Sequence, residues 1–302
     1  MLLINWKNLA AALCLLTGLL FIFPHPALAF DTSADNELLL LVNGIHRIDR
    51  AYQPEDLVDT ARKAPSKKSH MLLREPAATA YTDMIAAYKA ESSRPLYSLS
   101  AFRTYAYQSR LFSSKVASRQ RAGQSYMTAY RNTLQYTALP GTSEHQTGLA
   151  IDLTTNGALS DSFRDTTQGK WLLEHCWDFG FILRYDEAKT DLTAIAYEPW
   201  HYRYVGLPHS LIIRDNGWVL EEYIAALHEQ GMLEYADPED TASVWRIYWT
   251  DDTAQEFDDV ESISSDNTGG YIITTKTPLI NSLLNEWSVA ALTANNLLVM
   301  PA

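Results

Sequence analysis

Two short stretches of this chain carry side chains whose types and spacing suit metal chemistry. The first runs Pro140-Gly141-Thr142-Ser143-Glu144-His145-Gln146-Thr147-Gly148-Leu149-Ala150-Ile151-Asp152-Leu153 and offers the His145 imidazole and the Asp152 carboxylate. The second, Glu198-Pro199-Trp200-His201, offers another carboxylate and another imidazole. Two nitrogens and one oxygen around an open position form the donor set of a catalytic zinc site, and Glu198 is then free to act as a base. With His145, Asp152 and His201 on one zinc ion per chain, the fourth position holds a water whose pKa falls toward ~7. Such a zinc would also polarise a carbonyl, and Glu198 would take the proton of the attacking water and return it to the leaving amine.

The backbone that must present these groups is partly readable. From Gly148 to Leu153 the residues alternate, with Leu149, Ile151 and Leu153 on one side, which predicts a strand with one face in a core and Asp152 pointing away from it. His145 lies seven positions before Asp152, an odd spacing that an unbroken strand would put on opposite faces. A bend is therefore needed, and Gln146-Thr147-Gly148 supplies it because glycine reaches backbone angles closed to other residues. Glu198 and His201 are three apart, again wrong for a straight strand; Pro199 disfavours ladder pairing and re-aims the chain.

A lone His-x6-Asp is a weak signal, but here the elements occur together. Ser-x-His-x-x-Gly-x-Ala-x-Asp, from Ser143 to Asp152, is followed after about fifty residues by Glu-x-x-His. The combination resembles the zinc D-alanyl-D-alanine carboxypeptidases of the VanY type, related in fold to lysostaphin-like and hedgehog domains. The resemblance runs from about Leu38 to Tyr235, and Gly44 stands where the family leads one to expect a lysine. It implies a small antiparallel sheet with the zinc on its open face, and release of the C-terminal D-alanine from peptidoglycan stem peptides. D,D specificity on pentapeptides, L,D specificity on tetrapeptides and endopeptidase action of the same fold all stay open. So does a reading of another class, a non-catalytic zinc-containing wall-binding module, against which the intact Glu198 argues.

Ser100-Ala101-Phe102-Arg103-Thr104 with Gln108 resembles the family's substrate-recognition segment. The resemblance gives Arg103 the free terminal carboxylate, for which a bidentate cation is suited, and has Gln108 and Ser143 complete recognition of the terminal residue. Lysostaphin-like relatives carry a second histidine two positions after the last ligand, where this chain has Arg203, either an oxyanion support or a structural ion pair. Trp200 is expected to pack beneath the site. His46, His70, His175, His209 and His228 lack ligand spacing and read as surface or capping residues.

Residues 1–29 read as a signal peptide. Lys7 is the only charge, Leu9 to Phe23 is an almost continuous apolar run, and Ala27-Leu28-Ala29 has the small-x-small form of a cleavage site. The alternative is an uncleaved anchor, the one membrane contact then expected. Either way the catalytic part is expected outside the cytoplasmic membrane, secreted or at the cell wall. The chain has 24 Lys and Arg against 36 Asp and Glu, a formal charge of −12, or −13 once Lys7 is removed. This argues against a nucleic-acid partner and against attachment to anionic wall polymers by bulk charge. Cys176 is the one cysteine outside the N-terminal segment, so no intramolecular disulfide is expected there, and its neighbours Trp171, Leu172 and Trp177 suggest a buried helix thiol.

The periodicity predicts helices over 76–90, 107–118, 125–135, 170–178 and 219–230, the fourth capped by Gly180. Strands are expected at 96–102, 148–153, 181–185 and 194–197, the last two joined by a polar turn at 186–191. Strands carrying both metal motifs, with helices collected elsewhere, make the fold α+β rather than a βαβ series. The expected layout is an N-terminal segment (1–29), a catalytic domain (30–236) and an extension (237–302). In the extension, strands at 244–250 and 270–275 flank the acidic stretch 251–267, and 279–298 forms a last helix or an apolar-rich ending. Packing on the catalytic domain is the plain role for this extension, and wall contact the alternative.

Overall fold

The computed structural model describes residues 30–236, 240 and 242–278. The N-terminal segment and the last helix or apolar-rich ending expected at 279–298 lie outside the described residues. Among these residues no helix is long and apolar enough to cross a membrane.

In chain order, β1 (Leu57–Asp59) and β2 (Leu72–Arg74) pair as a short antiparallel ribbon leading into α1 (Glu75–Glu91). Then come β3 (Tyr97–Ser100), α2 (Tyr105–Arg121), α3 (Tyr126–Leu134), β4 (Ala150–Thr154), α4 (Thr167–His175), β5 (Phe181–Leu183) and β6 (His201–Tyr204). Helices α5 (His209–Asn216) and α6 (Leu220–Gln230) precede β7 (Met232–Ala236), β8 (Ser243–Thr250), β9 (Val260–Ser265) and β10 (Tyr271–Pro278). The central sheet has the order β3-β4-β6-β5 and the second sheet β7-β8-β10-β9, with antiparallel neighbours throughout. The architecture is the expected α+β.

The alternation along β4 does what its pattern predicts. Leu149, Ile151 and Leu153 enter one buried cluster with Tyr81, Met84, Ile85 and Tyr88 of α1 and with Trp171, Leu172 and Cys176. Those α1 positions recur every three or four residues, so one stripe of the helix covers one face of the sheet and leaves the other for chemistry. Pro76 sits in the first turn of α1, where its missing N–H costs nothing. The Cys176 thiol is free and buried, and burial pushes its pKa well up, as suits a packing residue rather than a nucleophile.

A second cluster joins the two sheets. Leu39, Leu41 and Ile182 meet Ile212 and Ile213 of α5, Leu220, Tyr223, Ile224 and Leu227 of α6, and Ile247 and Ile272 of the second sheet. The described part of the extension is thus packed on the body through α5 and α6.

Three expectations are corrected. Residues 194–197 are not a strand: Ala194 has φ 58° after a turn of helix at Thr190–Thr193, and the Ala196 N–H donates to Gln135 O instead of a ladder partner. A four-residue apolar alternation is too short to separate a strand from a loop lining a cleft. The acidic stretch 251–267 contains β9, in which the exposed Val260 and Glu261 lead into the buried Ile263 and Ser264. His209 is buried rather than superficial, its Nδ1 2.6 Å from Tyr223 Oη and its Nε2 3.2 Å from Thr274 Oγ1.

Candidate metal centre

The open face of the central sheet brings the two sequence motifs together. In the β4–β6 pairing Asp152 and His201 are directly opposite residues, so their side chains leave the sheet side by side. His145 arrives from a 3-10 turn, Glu144–Thr147, which ends at Gly148 with φ 72°. A Cβ at Gly148 would lie 2.9 Å from Leu57 Cδ2 and 3.0 Å from Arg74 Cγ, so both the turn and the packing require glycine there. The His201 N–H closes a turn on Glu198 O at 3.0 Å with Pro199 in its second position, and this four-residue turn swings Glu198 to the side of His201.

The three candidate ligands, His145, Asp152 and His201, each place a donor atom within 4.8 Å of the others, and all three are buried. His145 Nε2 is 3.3 Å from Asp152 Oδ2, and His201 Nδ1 is 3.0 Å from Asp152 Oδ1. The outer nitrogens fix which inner nitrogens are free to bind. His145 Nδ1–H donates to Ala101 O at 2.7 Å, leaving Nε2 to face the cluster. His201 Nε2 faces Glu144 Oε2 at 3.5 Å, and neither atom has a closer partner, so Nδ1 is the inward nitrogen of His201. Two oriented imidazoles and a carboxylate meet the donor requirement of a three-ligand zinc site.

Electrostatics support the same assignment. Burial, reinforced by the Arg103 guanidinium, pushes His145 down to about 4, so its imidazole is neutral. Burial would raise Asp152, but His145, His201 and Arg103 hold it well below the usual carboxylate range. Burial also opposes charge on His201, yet its contacts with Asp152 and Glu144 carry it up to about 9. That imidazole sits in a strongly negative setting, which favours a cation.

Glu198 lines the same cleft, a cavity of about 410 Å³ that also takes in Arg103, Lys115, Ser143, Tyr185 and Trp200. Its Oε2 is 3.8 Å from His201 Nδ1. Burial, with Asp152 nearby, pushes the Glu198 carboxyl up to about 8 against the opposing pull of His201 and Arg103. A carboxyl tuned near neutrality suits proton transfer in either direction.

The remaining predicted residues separate. Arg103 borders the cleft, with Nε donating to Ser100 Oγ at 2.8 Å and Nη2 to Asp152 Oδ2 at 2.8 Å. Ser143 lines the cavity, whereas Gln108 stands behind Arg103, accepting from its Nη1 at 3.3 Å and donating to Ala138 O at 2.8 Å. Arg203 is not an oxyanion support. It is fully buried, and its nitrogens donate to Glu144 Oε1 and to the carbonyls of Leu38, Leu40 and Tyr204. It is the structural ion pair of the two sequence alternatives.

Glu144 is the residue that motif reading passed over. Its Oε1 accepts from Arg184 Nε at 2.7 Å and Arg203 Nη1 at 2.8 Å, while its Oε2 faces His201. Burial would raise its pKa, but the two guanidiniums hold it far below the usual range, so it is a fixed anion behind the candidate ligand His201. Arg184 in turn is bidentate on Glu221, at 2.8 and 2.7 Å. No local signal in the sequence marks it, because the partners that define its role, Arg184 and Arg203, lie 40 and 59 positions further on.

Residues 70–207 match the profile of the VanY family, D-alanyl-D-alanine carboxypeptidase. The bifunctional D-Ala-D-Ala dipeptidase and carboxypeptidase VanXYC of Enterococcus gallinarum is 37% identical over 190 residues, 61% of this chain and 92% of that protein. Among solved structures, the vancomycin-resistance D,D-pentapeptidase VanY in complex with Zn(II) superposes with TM-score 0.53 at 33% identity, over 62% of this chain and 98% of that one. The LD-carboxypeptidase LdcB superposes with TM-score 0.55 at 34% identity, over 62% of this chain and 86% of that one. Relatives from Bacillus subtilis (strain 168) and Enterococcus faecium are matched over less of their length, 66% and 30%. With the His-Asp-His cluster on the open sheet face and similarity covering nearly all of VanXYC, the chain belongs to the VanY D-alanyl-D-alanine carboxypeptidase family.

Proposed function

We propose that this protein is a zinc-dependent carboxypeptidase that releases the C-terminal D-alanine of peptidoglycan stem peptides, with one zinc per chain held by His145, Asp152 and His201. The observation that carries this is the convergence of the three donors beside Glu198 in one cleft. Zinc bound there would supply a Lewis acid for the scissile carbonyl and lower the pKa of a water. The chain's own groups do the rest. Glu198 accepts the proton of the attacking water and hands it to the departing amine, for which a carboxyl near neutrality is suited. Glu144 keeps the His201 ring turned with Nδ1 inward, and Ala101 O does the same for His145 Nε2. Arg103, with Ser100, Gln108 and Asp152 fixing its plane, offers its remaining N–H groups to the substrate's terminal carboxylate, and Ser143 adds a hydroxyl beside it. The apolar run and Ala-x-Ala pattern of residues 1–29 support action outside the cytoplasmic membrane.

The test uses a defined stem pentapeptide as free acid and as C-terminal amide, with zinc content measured on the same protein. Cleavage of the acid should exceed that of the amide by roughly ten- to a hundredfold in kcat/KM, the equivalent of a charge-assisted hydrogen bond. Arg103→Ala should slow the acid and shrink the difference. Equal rates on acid and amide, or preference for an internal bond of a cross-linked peptide, would replace the carboxypeptidase by an endopeptidase. A tetrapeptide run alongside separates L,D from D,D action.

A further inference from the structure

The α2–α3 hairpin and the segments flanking it carry a charge pattern of which the chemistry above uses only Arg103. Between Ser92 and Ser143 lie seven of the chain's 24 Lys and Arg and none of its 36 Asp and Glu. The rest of the chain then holds 17 basic against 36 acidic residues, so a segment of formal charge +7 is attached to a body of −19. The two helices pack on each other through a small cluster of their own, Phe112, Val116 and Ala129 with Tyr130 and Leu134, which turns the polar positions outward. Arg110, Arg121 and Arg131 are exposed and Arg119 is half-buried. Among the described residues none of these four has a carboxylate within 4.0 Å, whereas Arg74, Arg164, Arg184, Arg203 and Arg214 each do. Unneutralised like charges on one hairpin repel each other, so the pattern has a cost and no internal return.

The hairpin is also one wall of the catalytic cleft. Lys115 of α2 and Tyr136, Thr137 and Ala138 after α3 line the cavity, and Lys115 Nζ donates to Thr137 Oγ1 at 2.9 Å. We propose that the outer face of the α2–α3 hairpin is the docking surface for the anionic peptide polymer that carries the substrate, and that it turns the cleft toward that polymer. The proposal rests on the carboxypeptidase reading. Stem peptides bear carboxylates besides the one at the scissile end and repeat along the polymer, which therefore presents rows of anions. The hairpin's own share is +5, from Arg110, Lys115, Arg119, Arg121 and Arg131, against −17 for the rest of the chain, so the molecule is repelled by its body and drawn by its hairpin and arrives with the cleft wall leading. An anionic bilayer presents the same sign of charge but no ligand for the cleft beside the hairpin, so continuity with the cleft favours the polymer.

The test compares the full zinc-loaded chain with Arg119→Gln/Arg121→Gln/Arg131→Gln, three residues outside the catalytic machinery. Co-sedimentation with purified peptidoglycan reads docking without turnover, and D-alanine release is followed on peptidoglycan and on a short acyl-D-alanyl-D-alanine whose one charge is the terminal carboxylate. Steering of this kind changes association by ~10- to 10³-fold and is screened by salt. Wild-type retention should therefore fall steeply as salt rises. The triple variant should bind peptidoglycan about tenfold less at low salt, with little salt dependence, and cleave the short peptide at the wild-type rate. Unchanged retention of the variant overturns the proposal, as does an equal loss on the short peptide. Stronger sedimentation of wild type with anionic phospholipid vesicles than with peptidoglycan at the same salt overturns it in favour of a membrane. Sedimentation reads docking without turnover, so absence of D-alanine release in every arm counts against the catalytic reading alone.

Discussion

Beneath His201 the chain buries Glu144, Arg184 and Arg203, with Glu221 closing the far side; where α5 and α6 meet the second sheet it buries an imidazole, a phenol and a hydroxyl, those of His209, Tyr223 and Thr274. Both clusters are hydrogen-bonded, yet one is built of charges and the other of neutral groups. Buried charges are expensive, and a lattice of them holds only while every partner is present. Neutral polar groups need partners too, but each is worth far less. The expensive arrangement lies where a fixed anion is useful, behind the inward-turned imidazole of the candidate ligand His201. The cheaper one lies where two layers merely have to stay together.

The widest separation between the two regions should appear on removing a metal ligand. His145→Ala, Asp152→Ala or His201→Ala takes away one of three donors and should give metal-poor protein without measurable turnover, while a seam substitution such as Tyr223→Phe keeps its zinc. Elemental analysis after dialysis against a weak chelator checks this. Stoichiometric zinc in an active His201→Ala protein would remove His201 from the ligand set.

Next in size is Glu144→Gln, which keeps the volume and deletes the charge. Arg184 retains Glu221, but Arg203 loses the one carboxylate that it contacts among the described residues. An uncompensated buried guanidinium costs about 3–5 kcal/mol, and loss of the outer partner of a metal-facing histidine lowers metal affinity about 10- to 100-fold. Denaturant unfolding of chelated protein reads the first effect and competition with a zinc indicator the second. If Glu144→Gln unfolds like wild type, the lattice is not the structural commitment that its geometry indicates.

The same contrast explains what was legible in the sequence. His145, Asp152, Glu198 and His201 were readable because strand alternation, a glycine bend and a proline turn are local devices, each spelled within a few residues. Glu144 was not, because its meaning resides in Arg184 and Arg203, 40 and 59 positions away. Arg203 was read with two meanings for the same reason: nothing nearby in sequence shows that its guanidinium is spent on Glu144 and on backbone carbonyls. The α+β class and the helix stripes followed from periodicity. The neutral seam was invisible, since a lone histidine followed by a Tyr-containing helix has no spacing that announces burial.

The smallest predicted effect uses pH to split the two regions. Burial pushes His209 down to about 3, whereas an unfolded histidine titrates near 6.5. Above ~6.5 neither state binds the proton; between ~6.5 and 3 the unfolded chain binds it and the native seam refuses it, so stability falls as the pH is lowered through that window. Glu144 has the same sign in a lower window: its folded pKa is depressed, so its contribution is complete above the unfolded value of ~4.5 and is lost only below it. Mild acid should thus loosen the seam while the charged lattice still holds. His145 and Glu198 titrate across the same interval with opposite signs, so the informative quantity is a difference between wild type and His209→Gln, which keeps a polar group toward Tyr223 but cannot titrate. In chelated protein, wild type should lose ~1.5 kcal/mol more than His209→Gln between pH 6.5 and 5, measured by urea unfolding at each pH. Parallel pH curves for the two proteins would mean that His209 accepts a proton without leaving the seam. The neutral cluster would then be as able to carry charge as the lattice beneath His201, and the distinction between the two regions would fail at its weaker end.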